Sequence, residues 1–468
     1  PLLGLLRHTQ QRNTWRPMLS KAARSHALRA STRGYAAAAA PGLKNVVLVD
    51  GCRIPFQPYG HKDYVDLMAY DLSRLAMTGL LTKTGIAPTE VDYVAWGTVS
   101  QEIRTSNIAR DVALGAGLPK NVTGHTVTQA CISANQAICT GVQQIQTGRA
   151  DVVIAGGVET FSDAAIRFSR PLRKKLILSQ KIKTPMGKVK SILKGLKMKD
   201  LAPETPAIAN MLTGEVMGHS ADRLADRFGV SRADQDAFAA RSHVNAAKAH
   251  EDGIFKDEIV PVNGQTLEEG IRGDSTPESM AKLKPAFVKP HGTVTAATAS
   301  YFTDGAACTL IMSEDKAKEL GLTPKAYLRE YAFPSCDPFE ELLLGPAYAT
   351  TAVLKAAGLG LKDMDVIEFH EAFAGQVLAN LVALDSDKFY ADSFSDGTTK
   401  VGAVPMEKFN VHGGSLSIGH PFGATGARLV TTVANRLIRE DGKYGLIAAC
   451  ADGGIGHGCI IERHPDAK

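Results

Sequence analysis

Two cysteines and one histidine stand where regular elements of this sequence begin or end, the places where reactive side chains are commonly held. Cys131 lies in VTQACISANQ, where an extended run gives way to a helical pattern. Cys450 lies in GLIAACADGG, where an apolar strand pattern runs into glycines, and His420 lies in a Gly-rich turn between them. A thiolate is a strong nucleophile, and an imidazole is a usual base for generating it. The three residues indicate covalent acyl chemistry on sulfur.

Short apolar strands alternate with helical stretches from Val46 onward. The strand patterns cover 46–50, 91–97 and 151–157, and the helical patterns cover 64–84 and the stretch from Cys131 to Gly148. Near-continuous apolar strands between helices predict a parallel-rich sheet that is covered on both faces. We therefore predict an α/β fold.

The same order of elements recurs late in the chain. Residues 364–376 match 91–101, the helix start at 413–437 matches the Cys131 helix, and 445–454 match 151–159. We interpret this order as a duplicated α/β half, with the two halves meeting at a shared interface. Each cysteine then occupies the same kind of place in its own half. His370 and Cys450 fall at carboxyl ends of strands, where such sheets bind ligands.

Stretches of different composition precede and interrupt the two halves. Residues 1–40 carry seven basic residues among Ser, Thr, Ala and Leu, with no acidic residue, which is typical of a mitochondrial transit peptide. A disordered basic arm, or one that binds nucleic acid, is the alternative. We expect an N-terminal half at 41–165 that is completed by 296–320, an inserted loop domain at 166–295, and a C-terminal half at 321–468.

The inserted segment 167–199 is strongly basic, with 12 Lys and Arg residues and no acidic residue. Its apolar residues recur at helical spacing opposite lysines, namely Ile192, Leu193 and Leu196 opposite Lys190, Lys194 and Lys197. A basic amphipathic helix can lie on an anionic membrane, with about 1 kcal/mol gained per basic residue. We predict peripheral membrane or partner contact here. A solvated basic loop, or a groove for an acidic ligand, is the alternative.

Seven motifs in a fixed order give the sequence a resemblance to the thiolases, the acetyl-CoA acyltransferases. They are the Cys131 segment, GGVETFSD (156–163), MGHSADRLADRF (217–228), GTVTAATASYFTDGAA (292–307), HEAFA (370–374), GGSLSIGHPFGATGAR (413–428) and CADGGIG (450–456). The resemblance covers essentially the whole chain after the first 40 residues. It implies the thiolase fold, in which two duplicated α/β halves with mixed sheets pack in layers.

The resemblance also implies a role for each reactive residue. Cys131 resembles the acylated nucleophile, and its position at a helix start beside an imidazole would favour the thiolate. His420 resembles the base that takes its proton. Cys450 resembles a second acid/base, which protonates the acetyl-CoA enolate and later deprotonates CoA. Without motif support, a buried thiol is usually structural, and we interpret the remaining cysteines so: Cys52, Cys139, Cys308, Cys336 and Cys459.

Two positions depart from the usual thiolase pattern. His370 stands where most members have an Asn that holds a water for an oxyanion hole, and Glu371 is expected to support it. Asp452 stands where Gly is usual, and its backbone N–H is expected to form a second oxyanion hole with that of Cys131. For substrate binding, Ser300 resembles a contact of the pantetheine arm of CoA, and Met217 an apolar neighbour of that arm.

The implied activity is that of a 3-ketoacyl-CoA thiolase of mitochondrial fatty-acid β-oxidation, acting on long-chain substrates. CoA and 3-oxoacyl-CoA are its substrates, and we expect neither a permanently bound cofactor nor a metal. The alternatives are an acetoacetyl-CoA thiolase running the condensation, and a membrane or partner scaffold with vestigial catalysis. A scaffold would not need Cys131, His420 and Cys450 together.

The basic insertion and the HEAFA form most resemble thiolases that work inside a mitochondrial multienzyme complex. This resemblance implies a homodimeric thiolase core in a hetero-oligomer with an α-subunit that carries hydratase and 3-hydroxyacyl-CoA dehydrogenase activity. It also implies a location on the matrix side of the inner membrane, with anionic membrane contact through 167–199 and no nucleic-acid partner.

Overall fold

The computed structural model describes residues 43–206 and 209–468, so the predicted transit peptide at 1–40 lies outside the described residues. The strands are β1 (Val46–Arg53), β2 (Gln57–Pro58), β3 (Tyr93–Gly97), β4 (Thr123–Val127), β5 (Val152–Glu159), β6 (Thr303–Ser313), β7 (Ala326–Ala332), β8 (Val366–Phe369), β9 (Tyr444–Ala451) and β10 (Ile455–Arg463). The first helices are α1 (Ala69–Thr84), α2 (Ile108–Gly115), α3 (Ser133–Gln146), α4 (Arg170–Ser179), α5 (Pro185–Leu193), α6 (Met217–Arg227) and α7 (Arg232–Glu251). They are followed by α8 (Pro277–Ala281), α9 (Glu314–Glu319), α10 (Gly345–Ala357), α11 (Ala374–Leu384), α12 (Asp387–Ser393), α13 (Ser415–Ile418) and α14 (Thr425–Arg439).

The strands of these ranges form one continuous mixed sheet in the order β4–β3–β5–β6–β1–β7–β10–β9–β8, with β2 beside β6. Within each half, neighbouring βα units give parallel pairs, and β6 and β10 run antiparallel to their neighbours. The two halves join edge to edge, where Val47 pairs with Tyr327 and Leu48 pairs with Ala326. The predicted α/β class and the duplicated order of elements are confirmed. The predicted parallel-rich sheet is wrong, because six of the nine strand pairings in these ranges are antiparallel.

The duplication corrects our interpretation of the two cysteines. Cys131 precedes α3, whereas Cys450 lies inside β9, which takes the place of β5 in the second half. The stretch that corresponds to the Cys131 segment is the one before α14, which carries His420. The interpretation of equivalent positions is therefore wrong. Both cysteines still reach one edge of the sheet, because helix starts and strand ends meet there.

Helices cover both faces of the sheet and divide the apolar core into layers. On one face, α1 and α2 pack on the first half, and α10 and α11 on the second. On the other face, α3 and α14 share one core cluster and pack against each other. Their approach is so close that a Cβ at Gly426 would lie 2.2 Å from Oδ1 of Asn135. Glycine is required at this contact because any side chain would separate the helices.

Two predicted helices differ in extent from those observed. The stretch predicted as helical from Tyr64 forms its helix only from Ala69, because the Tyr64 hydroxyl donates to the Pro55 carbonyl (2.7 Å) and holds a preceding turn in place. In the basic segment the helix ends at Leu193, and Gly195 adopts a φ of +68°, which reverses the chain. The single amphipathic helix through Leu196 is therefore wrong, and α4 and α5 pack together as a short hairpin instead.

The hairpin leaves large apolar side chains in solvent. Met186 is 77% exposed, Ile177 63%, Leu193 62% and Met198 84%.

Across residues 43–206 and 209–468, no helix combines the length and apolar character needed to cross a membrane.

A buried ion cluster ties three parts of the chain together. Arg53 on β1 donates from Nε to Glu268 (2.8 Å) and from Nη1 to Glu258. Glu258 also accepts from Thr432 (3.0 Å) and Asn435 on α14. Burial alone would raise the pKa of Glu268, but Arg53 and His250 outweigh it and lower this pKa to about 2.

We expect the cluster to make the free energy of unfolding depend on pH in the acidic range. Because the pKa of Glu268 is depressed on folding, its contribution of about 3 kcal/mol is present above about pH 4.3 and lost as the pH falls toward 2. The difference in unfolding free energy between wild type and Glu268→Gln should therefore shrink between about pH 5 and pH 3, measured by urea denaturation. The exposed Glu319→Gln serves as control, and a difference that does not change with pH contradicts the expectation.

Candidate active site

Cys131 sits in a tight turn between β4 and α3. Ala130 adopts a φ of +44°, and the Ser133 hydroxyl donates to the Ala130 carbonyl (2.7 Å) while accepting from Gln129 N (2.8 Å). Ile132 is fully buried against Ala449 and Ala451 on β9. Cys131 itself remains partly exposed. The turn thus presents the thiol beside the strand that carries Cys450.

His420 is a buried imidazole whose hydrogen bonds define its tautomer. Its Nδ1 lies 2.6 Å from Thr425 Oγ1, and that hydroxyl donates to the Pro421 carbonyl at 3.1 Å. Since the hydroxyl proton is already used, Nδ1–H must donate to Thr425, and Nε2 carries the lone pair. Nε2 is buried and has no hydrogen-bond partner among the described residues. It is free to accept a proton.

His370 is a second buried imidazole with the opposite arrangement. It follows β8 directly, and its Nδ1 lies 2.9 Å from Ser415 Oγ. Ser415 Oγ accepts from Arg428 Nη2 (3.4 Å), so its own proton is available for His370 Nδ1. We assign that proton to the bond with Nδ1, so that Nε2 of His370 carries a proton; Nε2 too has no partner among the described residues. It is a free hydrogen-bond donor.

The two imidazoles and the Cys131 thiol converge on one point. The ring centroids of His370 and His420 are 4.0 Å apart. The Cys131 sulfur and one ring nitrogen from each histidine all lie within 4.8 Å of one another. One thiol and two imidazoles could together hold an ion such as zinc. They are equally the nucleophile, base and donor that acyl transfer on sulfur uses.

Burial keeps these groups uncharged. Burial, together with Arg428, lowers the pKa of His370 to about 3, and burial, His370 and Arg428 lower that of His420 well below its ordinary value. Burial, Asp452 and Glu159 raise the pKa of Cys131 to about 12. Burial thus opposes the thiolate that the helix start and the neighbouring imidazole would favour.

The β9–β10 turn closes the site on its far side. Cys450 on β9 is buried, and burial and the neighbouring Cys131 raise its pKa well above the usual value. The backbone N–H of Asp452 lies close enough to the Cys131 thiol to lower its pKa, although burial and the Asp452 and Glu159 carboxylates outweigh this effect. The Asp452 carboxylate accepts from Asn210 Nδ2 (2.7 Å) and from Gly453 N (2.8 Å). The backbone donor is thus retained although Asp replaces the usual Gly.

The remaining predicted residues lie around this centre rather than in it. Glu371 accepts from Ser242 and Asn410 (2.7 Å each) and from Leu416 N, so it holds the segment around α13 rather than the His370 ring. Ser300 N donates to the Ala372 carbonyl (2.9 Å), which aligns its loop with HEAFA. Met217 is the first residue of α6.

Sequence reasoning missed the residues that orient the reactive groups. Thr425 and Ser415 lie in the quoted Gly-rich motif, and their hydroxyls could have been sought as histidine partners. Glu159, in GGVETFSD, accepts from Val99 N (3.1 Å), Ser100 N (2.8 Å) and Gly423 N (3.1 Å), and burial raises its pKa to about 7. It ties the His420 turn to the half that carries Cys131. Asn210 had no signal in the sequence.

Comparison with known proteins identifies relatives of the whole described chain. The model for the thiolase N-terminal domain matches residues 46–315, and that for the thiolase C-terminal domain matches 322–463. The mitochondrial trifunctional enzyme subunit beta of Macaca fascicularis is 55% identical over 91% of this chain and 90% of its own length. A probable 3-ketoacyl-CoA thiolase of Caenorhabditis elegans is 52% identical over 93% of this chain and 97% of its own. A crystal structure of human mitochondrial 3-ketoacyl-CoA thiolase in complex with CoA superposes with a TM-score of 0.75, at 31% identity, over 90% of this chain and 99% of that one.

The Thr425 hydroxyl offers a test of the assigned tautomer. Thr425→Val removes the acceptor for His420 Nδ1–H, so Nε2 no longer holds its lone pair toward Cys131. We expect alkylation of Cys131 by iodoacetamide at neutral pH, followed by peptide mapping, to slow about 10-fold. Thr140→Val, which removes a hydroxyl bonded to the backbone of α3 (2.8 Å), is the matched control. Equal rates in wild type and Thr425→Val contradict the assignment.

Proposed function

The chain belongs to the thiolase family, and we propose that it is the 3-ketoacyl-CoA thiolase of a mitochondrial fatty-acid-oxidation complex. It cleaves 3-oxoacyl-CoA with CoA, giving acetyl-CoA and an acyl-CoA that is two carbons shorter. The observation that carries the proposal is the convergence of the Cys131 thiol with one ring nitrogen each of His420 and His370, whose Nε2 atoms have no partner among the described residues, beside Cys450.

In the first half-reaction, His420 Nε2 takes the Cys131 proton as the sulfur attacks the 3-oxo carbon. The bond between C2 and C3 breaks, and its electron pair leaves as the acetyl-CoA enolate. Cys450 gives its proton to the enolate carbon, which releases acetyl-CoA and leaves the acyl group on Cys131. General acid–base help of this kind is worth roughly 100- to 10,000-fold.

In the second half-reaction, the Cys450 thiolate takes the proton of the incoming CoA thiol. The CoA sulfur then attacks the acyl-Cys131 carbonyl, the bond from the acyl carbon to Cys131 breaks, and the sulfur recovers a proton from His420. The second half-reaction restores the protons that Cys131 and Cys450 lost in the first, so two thiols with separate roles suffice.

Two sets of donors stabilise the oxygens that become negative. The Nε2–H of His370 faces the same point as His420 and serves the thioester oxygen, where most thiolases use an Asn-held water. The backbone N–H groups of Cys131 and Asp452 serve the oxygen on C3. Loss of one such donor costs roughly 100- to 1,000-fold in related chemistry.

Acylation of a single thiol distinguishes this mechanism. We expect intact-protein mass spectrometry after mixing with 3-oxoacyl-CoA to find the acyl group on Cys131, and Cys131→Ser to lose turnover by at least about 1,000-fold. Cys139→Ser, buried on the helix α3 that follows Cys131, is the control and should keep its activity. Turnover by Cys131→Ser at the wild-type rate would falsify the mechanism.

Turnover measured across acyl chain lengths tests the expected preference for long chains, since an acetoacetyl-CoA thiolase would favour the shortest substrate.

The proposal extends to a companion subunit and to the location of the chain. Relatives named trifunctional enzyme subunit beta support an α-subunit, which would carry hydratase and dehydrogenase activity, and a mitochondrial location. We propose a homodimeric thiolase core within that complex, on the matrix side of the inner membrane. CoA is a substrate of this reaction, as the CoA complex of a structural relative supports.

The α4–α5 hairpin is the part of the chain that we propose contacts the membrane. Its apolar side chains are exposed beside lysines and arginines, and a cavity of about 350 Å³ is lined by Arg170, Arg173, Lys174, Ile177 and Leu178. The Arg173–Glu204 ion pair (2.6 Å) and backbone bonds between Arg167 and Glu204 hold its base. Exposed apolar residues within a cationic surface fit anionic lipid, with cations in the headgroup layer and apolar groups beneath it.

Charge removal tests this contact without deleting the hairpin. Changing Lys188, Lys190, Lys194 and Lys197 to Gln should weaken co-sedimentation with cardiolipin-containing vesicles by at least about 10-fold, while short-substrate turnover stays unchanged. The control changes four exposed lysines elsewhere, Lys62, Lys282, Lys284 and Lys289, to Gln. Equal vesicle binding by both variants contradicts membrane contact, and selective loss of α-subunit binding assigns the surface to that partner.

A further inference from the structure

The carboxylate of Asp452 is bound by one side chain from a distant part of the chain. Asn210 precedes α6 by seven residues and is buried, with 6% of its surface exposed. Its Nδ2 donates to Asp452 Oδ1 at 2.7 Å. The two residues are 242 positions apart in the chain, so the contact exists only in the folded protein.

The amide of Asn210 cannot be turned around. Its Oδ1 accepts from Leu212 N (2.9 Å) and Thr213 N (3.1 Å), so this oxygen must face the turn that follows. The backbone of Asn210 is fixed as well, because its N–H donates to the Glu215 carbonyl (2.9 Å) and its carbonyl accepts from Gly214 N (2.9 Å). Nδ2 is therefore left to face Asp452, in a hydrogen bond that the carboxylate charge strengthens.

Asp452 in turn governs the donor that faces Cys131. Its backbone N–H lies beside the Cys131 thiol and favours the thiolate, and its Oδ1 also accepts from Gly453 N (2.8 Å). Gly453 and Gly454 have φ values of +94° and +71°. Because glycine adopts many backbone conformations, these two residues do little by themselves to fix the shape of the turn. A free carboxylate this close to Cys131 would also oppose the negative charge that develops there.

We infer that Asn210 is a positioning residue for the thiolase reaction, which acts by binding the Asp452 carboxylate and so holding the Asp452 N–H toward the acyl oxygen. The inference rests on the proposed function, in which that N–H belongs to an oxyanion hole. It assigns a purpose to Asp452, which replaces the usual Gly. It also links the segment after the basic hairpin to the active site.

Asn210→Asp removes the Nδ2 donor to Asp452 while leaving the rest of the side chain nearly unchanged in shape. The new carboxylate keeps an oxygen for Leu212 N and Thr213 N but sets a second negative charge against Asp452. We expect kcat for thiolysis to fall about 10-fold, with the KM for CoA within about 2-fold, because the lost alignment acts on the transition state. The swapped pair Asn210→Asp/Asp452→Asn restores a donor and an acceptor between the two side chains, though not the bond from Gly453 N, and should recover part of the kcat that Asn210→Asp loses.

Two further variants separate positioning from a general structural role. Thr213→Ala disturbs the same turn by removing the acceptor for Glu215 N (3.2 Å), and it should leave kcat within about 2-fold. In an Asp452→Gly background, Asn210→Asp should change kcat by less than about 2-fold. An equal loss in both backgrounds, a loss in Thr213→Ala as large as in Asn210→Asp, or no recovery in the swapped pair overturns the inference.

Quenched-flow mass spectrometry distinguishes this failure from that of the proposed function. If wild-type protein forms no acyl adduct on Cys131, the proposed function itself is wrong. If wild type forms the adduct and Asn210→Asp forms it at the same rate, only the role of Asn210 is wrong.

Discussion

The close contact between α3 and α14 sets the geometry on which the rest of the structure depends. Cys131 precedes one helix and His420 precedes the other, so the distance between thiol and base follows from how these helices pack. Gly426 permits the approach to Asn135, and the edge pairing of β1 with β7 sets the two halves in register. Glu159, in the first half, accepts hydrogen bonds from Val99 N and Ser100 N of its own half and from Gly423 N in the turn that carries His420. A shift of about 1 Å at this interface would separate groups that must meet within hydrogen-bond reach.

At this interface, the hydroxyls of Thr425 and Ser415 assign opposite hydrogen-bonding roles to the imidazoles of His420 and His370. Thr425 accepts from His420 and leaves a base, whereas Ser415 donates to His370 and leaves a donor. Burial keeps both rings neutral, so neither needs to gain or lose a proton before substrate arrives. A neutral site also explains how a thiol with a raised pKa can serve, because the proton moves only as the sulfur attacks. The Arg428 guanidinium, buried nearby, favours the neutral form of both rings.

The two departures from the usual thiolase pattern have different physical consequences. In the proposed reaction, His370 serves as a direct donor where most thiolases use an amide and its water. Asp452 brings a negative charge next to the nucleophile, and the structure offsets it with hydrogen bonds from Asn210 and Gly453. The first change is contained within its own motif. The change at Asp452 involves a contact with Asn210, in the segment that follows the α4–α5 hairpin. The hairpin itself is the surface that we propose for membrane contact.

The sequence by itself determined the class of fold and indicated the residues that we propose as reactive, because both depend on local patterns. Strand and helix periodicity located β1, β3, β5 and α3, and the recurrence of element order revealed the duplicated halves. Motif order singled out Cys131, His420, His370 and Cys450. Local patterns failed where the outcome depends on neighbours distant in the chain. They placed the two cysteines in equivalent positions, extended the basic helix past Leu193, and favoured a thiolate that burial disfavours. The tautomers of the histidines, the Glu159 link and the Asn210–Asp452 bond were decided only by tertiary structure, since each joins groups whose distance and burial no single segment specifies.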